Sequence, residues 1–195
     1  TITINAADAT STTAADLNAI NSATSEAVNL TNVIALAASS LRDLDTLEAA
    51  ITNNEFSNAT GLTTIEVTDT TIDATALAST IDSYDEINGE STTGMTLAAG
   101  ATINVDASEV IEMLDDEIAG RLTISDQAIT VTGEISVFDA RELSETTTGL
   151  LTATILDTTI DQLEVLPYTD NALIIRLTDP SVDADRQIDL GYSTS

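Results

Sequence analysis

A short pattern of residues recurs along this 195-residue chain. In each copy a Ser or Thr is followed three residues later by Asp, then by an apolar helical stretch, a small-polar turn and a strand rich in Thr, Ile, Val and Leu. The pairs are Thr13 with Asp16, Ser40 with Asp43, Thr70 with Asp73, Ser136 with Asp139 and Thr158 with Asp161, and the turns before strands fall at Gly61, Gly94, Gly120, Gly149 and Asn171. Recurrence at roughly 20 to 35 residues is typical of proteins built from stacked repeats.

The pattern has a physical explanation at each step. The Ser or Thr oxygen can accept a hydrogen bond from a free amide in the first helical turn, and the Asp can reach back toward the cap. Gly or Asn lets the chain leave the helix at positive φ. Because no single unit can bury its apolar face alone, the units must stack. We therefore predict an α/β fold, an elongated repeat solenoid in which each coil is a short helix plus a β-strand and the strands stack into parallel sheet.

The predicted solenoid covers residues 1–178, and residues 179–195 are predicted to be a C-terminal cap or linker. The coils are expected near 1–30, 31–68, 69–105, 106–132, 133–156 and 157–178. Helices are predicted at 14–22, 33–53, 75–83, 108–118, 137–146 and 160–166, and strands at 1–4, 28–30, 62–68, 95–97, 102–105, 122–125, 129–132, 150–156 and 173–178.

One pair of segments indicates internal duplication. Residues 61–73 and 149–161 align at a constant offset, and both contain the run Asp-Thr-Thr-Ile-Asp. The alternative is chance repetition in a chain rich in Thr and Asp.

The charge is one-sided. Asp and Glu number 33 against five Arg, Lys is absent, and the formal net charge is −28. Such a surface disfavours nucleic acid and anionic membranes, which need cationic side chains, and it attracts metal cations. Salt or divalent ions must relieve the repulsion before subunits can pack closely. Life in sea water or brine would fit this composition, and a merely soluble acidic protein is the alternative.

The residue inventory excludes most familiar catalytic sites. The chain has no His, Cys or Lys, which removes Ser-His-Asp and Cys-His catalysis, Schiff bases and the Walker A loop. A carboxylate pair could still serve a glycosidase, but aromatic residues make up only 3% of the chain, and sugar-cleaving clefts usually use aromatic platforms. We predict that the chain is not an enzyme, with a carboxylate-based hydrolase as the less favoured alternative.

Oxygen-rich cation sites are the chemistry that remains. Ca²⁺ takes six to eight oxygen ligands from carboxylates, carbonyls and water. Three acidic clusters are candidate Ca²⁺ ligands, and the alternative for each is solvated charge at a helix end or turn. They are Asp43 with Asp45; Asp115, Asp116 and Glu117; and Asp183 with Asp185. No EF-hand loop is present, so weak ion binding shared between coils or subunits is favoured over a tight dedicated site.

The rhythm and composition resemble a known group of proteins. Residues 67–77 and 19–24, Val-Thr-Asp-Thr-Thr-Ile-Asp-Ala-Thr-Ala-Leu and Ala-Ile-Asn-Ser-Ala-Thr, are similar to repeat segments of giant exported cell-surface proteins of marine bacteria and cyanobacteria. The resemblance implies an extracellular, adhesive, filament or surface-layer role. The calcium-binding nonapeptide Gly-Gly-x-Gly-x-Asp is absent, so calcium-roll sites do not carry over.

The repeated pattern, the composition and the resemblance together suggest two functions. The first is a structural or adhesive segment of an extracellular bacterial surface protein or filament. The alternative is a receptor- or glycan-binding module, such as a phage fibre or an adhesin tip. Expected partners are other copies of the chain or neighbouring repeats, through strand edges at 1–4 and 173–178, and a cell-surface glycan under the second reading. Neither nucleic acid nor membrane insertion is expected, because no apolar run reaches transmembrane length. The chain opens on Thr1 and not on Met, which predicts a fragment or a processed subunit.

Overall fold

The computed structural model describes residues 1–4, 11–89, 93–166 and 171–177. Within those residues the chain is α/β, with six helices and twelve strands. The helices are α1 (Ala14–Ser22), α2 (Leu41–Thr52), α3 (Ala74–Ile87), α4 (Val110–Ile118), α5 (Val137–Thr146) and α6 (Ile160–Leu163). The strands are β1 (Ile2–Thr3), β2 (Val28–Asn29), β3 (Ala35–Ser39), β4 (Phe56–Ser57), β5 (Thr64–Val67), β6 (Thr71–Asp73), β7 (Gly94–Leu97), β8 (Thr102–Asp106), β9 (Leu122–Thr123), β10 (Ala128–Ile135), β11 (Leu151–Thr158) and β12 (Ala172–Leu177).

The strands form three parallel sheets. The first sheet has the order β1-β2-β4, the second β3-β5-β7-β9 and the third β12-β11-β10-β8-β6. Each strand pairs with the strand that occupies the same sheet roughly 20 to 30 residues later. Thus Thr71 is the register partner of Thr102, and Thr152 is the partner of Ala172. The pairing interval agrees with the recurrence of the sequence pattern.

The helices form a layer beside the sheets. From α1 to α5, each helix contacts the next one along the chain. The inner faces of helices and strands contribute to one apolar cluster that extends from Ile4 to Ile155. Its largest fully buried side chains include Tyr84, Leu17, Leu44 and Ile72. Because the cluster runs through successive helix and strand segments, neighbouring segments bury one another.

The predicted helix caps are confirmed for three helices. Thr13 and Ser136 each form a capping box with the Asp three residues later, at α1 and α5. Both helices begin and end at the predicted residues. The Ser40 side chain accepts a hydrogen bond from the backbone of Asp43 at the start of α2.

The predicted helix at 33–53 is wrong in its first half. Ala35–Ser39 is strand β3, which pairs with β5. Its buried residues, Leu36 and Ser39, are three positions apart, and the pairing with β5 shifts register between them. The strand therefore lacks the regular alternation that identifies a strand from sequence, and an Ala-rich run carries little information that separates strand from helix. The cap at Ser40 was the better signal, because it requires the helix to begin at Leu41.

Two other predicted caps are displaced. Residues 71–73 form β6, and α3 is capped by Asp73, which accepts from the amide of Ala76 at 3.1 Å. Thr70 is therefore not a cap. At α6 the cap is Thr159, with Gln162 completing the capping box, one residue later than predicted. The Asp-Thr-Thr-Ile-Asp run shared by residues 69–73 and 157–161 is thus placed differently in its two copies. Residues 71–73 form β6, whereas residues 157–158 end β11 and residues 160–161 begin α6.

Three helices are followed by a Gly or Asn at positive φ, as expected for these residue types, but only Gly120 is one of the turn positions predicted above. Asn54, Gly89 and Gly120 have φ values of 62°, 67° and 73°, and they follow α2, α3 and α4. Gly149 has a different role, because a Cβ there would lie 2.2 Å from the carbonyl oxygen of Gln127. This glycine is needed for close backbone approach between neighbouring segments.

None of the helices in the described ranges combines the length and apolar character that crossing a bilayer requires.

Candidate functional site: a carboxylate-lined groove between two helices

A depression with acidic residues in its lining lies between α3 and α4. It encloses about 270 Å³, and we call it the α3–α4 groove. Its floor is apolar and its sides are polar and acidic. The floor includes Leu77, Ile81, Met113 and Leu122, and the sides include Thr75, Asp82, Glu109, Glu112 and Asp116. Residues 109, 112 and 116 are spaced by three and four positions, which places them along one side of the helix.

Arg121 joins the two helices at one end of this groove. Its Nη2 contacts Oδ1 of Asp116, and its Nη1 lies 3.8 Å from Oδ1 of Asp82 and 3.8 Å from Oδ2 of Asp85. The positive φ of Gly120 ends α4, and the Arg121 amide then donates to the carbonyl of Asp116 at 2.9 Å. One guanidinium therefore faces three carboxylates, which leaves the cluster negative.

Asp116 is the buried member of the cluster. Its side chain is 4% exposed. Burial is the largest effect on this carboxyl and raises its pKa, whereas the charge of Arg121 lowers it. The carboxylates of Asp82, Glu112 and Asp85 raise the pKa further, so it lies above its ordinary value. Burial disfavours the charged form because water no longer solvates it.

The N-terminal end of α4 is held by short polar contacts. Thr75 donates from Oγ1 to Glu109 Oε1 at 2.7 Å, which links α3 to the start of α4. The Asp106 amide donates to Glu109 Oε2 at 3.4 Å, whereas α4 itself begins at Val110 with no side-chain hydrogen bond to its cap. Hydrogen bonds from the amide and hydroxyl of Ser108 lower the pKa of the Asp106 carboxyl.

The first predicted calcium pair is divided between two roles. Asp43 accepts from the Ser40 hydroxyl at 2.6 Å and serves the cap of α2. Asp45 is exposed. Its charge, with that of Glu48, acts on the buried Tyr84 phenol, whose pKa is raised first by burial and then by these two carboxylates. The Tyr84 hydroxyl donates to the Leu44 carbonyl at 3.1 Å.

The second predicted cluster points in different directions. Asp115 is exposed, Asp116 is buried against Arg121, and Glu117 is partly exposed. Adjacent residues on a helix are about 100° apart around its axis, so three in succession do not converge on one ion. Asp183 and Asp185 lie outside the described residues. Across the described part of the chain, no group of three or more acidic side chains is arranged to hold a metal ion, and the calcium prediction stays a prediction.

The Arg121 cluster was not predicted. Its members come from α3, α4 and the turn after α4, and their convergence depends on how the two helices stack. One signal was available in the sequence. Arg121 is one of only five cations and directly follows a helix-ending glycine, at the position from which a side chain can turn back toward the helix end.

A broader depression lies at the C-terminal ends of α2 and α3. It has a volume of about 590 Å³, and its lining combines Ile51, Ile87 and Phe56 with Glu48 and Glu86. The depression between α2 and α3 and the groove between α3 and α4 therefore both combine apolar side chains with carboxylates. Carboxylates next to apolar surface favour ligands that carry both a positive charge and an apolar part.

No protein-family model, curated protein or solved structure matches this chain. Functional inference therefore depends on the residues and on the geometry described above.

Proposed function

We propose that this chain is a structural or adhesive segment of an extracellular bacterial surface protein or filament, built as a repeat solenoid of helix-and-strand coils. The observation that supports the proposal is that strands pair in parallel with strands roughly 20 to 30 residues further along the chain. Such stacking has no natural end, so arrays of this kind are extended by adding units. Length and surface are what an adhesin or filament requires.

An elongated shape is expected of a longer array and not of this segment alone. Strands in a sheet lie about 4.8 Å apart, so six coils span only about 25 to 30 Å. We therefore expect an extended particle only when further coils or further copies continue the stack.

Strand edges offer the route to further copies. β1 lies at one edge of the first sheet and β12 at one edge of the third. Edge strands can pair with another chain, and a head-to-tail contact that does not close produces a filament. Because these two edges belong to different sheets, a neighbour that paired β12 with β1 would be rotated about the stacking axis.

The acidic surface sets a condition on assembly. With a net charge of −28, two copies repel each other unless ions screen or bridge them. Ca²⁺ suits carboxylate ligands and accepts incomplete, shared coordination. We propose that weak calcium bridges between coils or subunits favour assembly at the cell surface.

Sedimentation velocity and negative-stain electron microscopy test this proposal together. The chain is compared in NaCl, in MgCl₂ and in CaCl₂ at matched ionic strength. We expect end-to-end oligomers and a higher unfolding temperature in CaCl₂, a smaller effect in MgCl₂ and a monomer in NaCl alone. A monomer of unchanged thermal stability in all three salts would contradict the assembly proposal. Saturable binding of a defined glycan by that monomer would favour the adhesin-tip alternative.

A further inference from the structure

The outer surface of α4 and α5 exposes large apolar side chains. Ile111 is 62% exposed, Ile118 is 77% exposed and Phe138 is 62% exposed. Ile111 and Ile118 lie seven residues apart on α4, two turns along the same face and about 10 Å from each other. Phe138 lies in the first turn of α5, and α5 contacts α4. We call these three residues the α4–α5 patch.

Single exposed apolar side chains are common on protein surfaces, but these three lie on two helices that contact each other. Phe138 is one of only two phenylalanines in the chain, and the other, Phe56, is buried. The inner face of α4 already buries Val110, Met113 and Leu114. The three patch residues therefore add nothing to the core, and exposed apolar clusters of this kind commonly mark binding surfaces.

The α4–α5 patch and the α3–α4 groove lie on two different sides of the same helix, α4. Residues 109, 112 and 116 line the groove, whereas 111 and 118 lie about 100° to 180° away around the helix axis. Exposed Asp115 lies between the two features. A ligand lying across α4 would therefore meet an apolar surface on one side and a carboxylate-lined cavity on the other.

From this arrangement we propose that the α4–α5 patch and the α3–α4 groove together bind a basic amphipathic helical segment of another protein. Its apolar residues would cover Ile111, Ile118 and Phe138, and a Lys or Arg would enter the groove. Charge complementarity selects this occupant, because the groove combines four carboxylates with an apolar floor that suits the aliphatic stem of a basic side chain. A second copy fits poorly, since this chain has only five basic residues against 33 acidic ones and its net charge repels a like chain.

This inference goes beyond the proposed structural role and does not depend on assembly of the chain. The probe is a fluorescein-labelled synthetic peptide of about 14 residues, with Leu on one helical face and Lys on the other. Binding is measured by fluorescence anisotropy at several NaCl concentrations. The patch variant is Ile111→Ser/Ile118→Ser/Phe138→Ser, and the groove variant is Glu112→Gln.

Matched controls separate docking from general attraction to an acidic protein. The apolar control is Ile34→Ser/Leu156→Ser/Ile174→Ser, which changes three other exposed large apolar residues. The charge control is Glu164→Gln, an exposed residue after α6. All the variants are checked for native circular dichroism, and replacing exposed side chains is expected to leave the fold intact.

We expect the patch variant to bind about tenfold more weakly, because apolar anchors dominate such interfaces. The groove variant should bind about threefold more weakly with a shallower salt dependence, while both controls stay within about twofold of the wild type. Equal losses in variants and controls, or no saturable binding by the wild type, would overturn the proposal. A wild-type dimer that the patch variant abolishes would assign the patch to a second copy and would also overturn it.

Discussion

Gly149 shows how closely neighbouring segments approach one another. A Cβ at this position would lie 2.2 Å from the Gln127 carbonyl oxygen and 2.4 Å from the carbonyl carbon. Both atoms are backbone, so no flexible side chain can move aside. The Thr147 hydroxyl donates to the same Gln127 oxygen at 2.7 Å, which fixes the two segments further.

We therefore expect Gly149→Ala to lower the free energy of unfolding by about 3 kcal/mol, the upper part of the range for overpacking. Urea denaturation measures the effect. Gly100→Ala is the matched control, because Gly100 has a φ of 68° with no atom within 4 Å of an added Cβ, and it should cost only about 1 kcal/mol. Equal losses in the two variants would show that the close approach to Gln127 is not decisive.

Arg121 compensates a carboxylate that the fold has buried. Removing it in Arg121→Met should destabilise the protein by about 2 kcal/mol, less than the full cost of an uncompensated buried charge because the guanidinium is partly exposed. The double variant Arg121→Met/Asp116→Asn should recover most of the loss, since no buried charge then remains. A double variant as unstable as the single one in urea would contradict this role.

The raised pKa of Asp116 predicts how the free energy of unfolding changes with pH. Its folded-state pKa is raised, so within the window between the ordinary and raised values the folded chain holds more protons than the unfolded chain. The contribution of Asp116 to the free energy of unfolding therefore falls as pH rises through that window. Relative to wild type, Asp116→Asn should gain stability from about pH 4 toward neutral pH.

Urea midpoints measured across this range check the pH prediction. Asp115→Asn is the control for net charge, because it removes one carboxylate from the exposed face of the same helix. A difference between Asp116→Asn and wild type that does not change with pH would contradict the prediction.

At the scale of single elements, the caps carry much of the information in this sequence. Thr13, Ser40 and Ser136 could be identified as caps because a cap needs only a hydroxyl, an Asp and a short span of chain. Such local signals do not depend on tertiary structure. The strand at Ala35–Ser39 was missed because its identity depends on pairing with β5, which a run of small apolar residues does not encode.

The same contrast, between local signals and those that depend on tertiary structure, determines what could be predicted of the α3–α4 groove and of the Asp-Thr-Thr-Ile-Asp runs. Glu109, Glu112 and Asp116 could be placed along one side of a helix from spacing alone, but the approach of Arg121 to Asp82 and Asp85 required the stacking of two helices. Likewise, one pentapeptide contains β6 in one place, and the end of β11 and the start of α6 in another, so its sequence alone does not fix its structure.

The caps give an element-scale prediction. Ser136→Ala should lower the free energy of unfolding by about 1 kcal/mol, because it removes the hydroxyl that accepts from the Asp139 amide at 3.1 Å. Thr70→Ala is the matched control, since Thr70 is exposed and caps no helix among the described residues, and it should change stability by less than about 0.5 kcal/mol. Thermal and urea denaturation would contradict the assignment if Thr70→Ala were the more damaging change.

At the scale of the whole molecule, stacking is the source of stability. Backbone hydrogen bonds and buried side chains join each segment to the next, and single polar side chains reinforce them. The Asn18 Nδ2 donates to the Asp43 carbonyl at 2.9 Å from α1 to α2, and the Asp69 carboxylate accepts from the Leu41 amide at 2.8 Å. A chain stabilised by such contacts is expected to gain stability from any further segment that stacks on it in the same way.

Disulfide trapping tests the stacked arrangement most directly, because the chain has no native cysteine. Thr96 and Thr123 are exposed register partners on β7 and β9, as are Thr152 and Ala172 on β11 and β12. Paired strands lie about 4.8 Å apart, within reach of a disulfide, whereas Glu66 and Thr123 are two strands apart at about 10 Å and out of reach. Under mild oxidation, we expect intramolecular disulfides in Thr96→Cys/Thr123→Cys and in Thr152→Cys/Ala172→Cys. We expect none in Glu66→Cys/Thr123→Cys. Failure of both partner pairs, or equal trapping of the two-strand pair, would contradict the parallel stack.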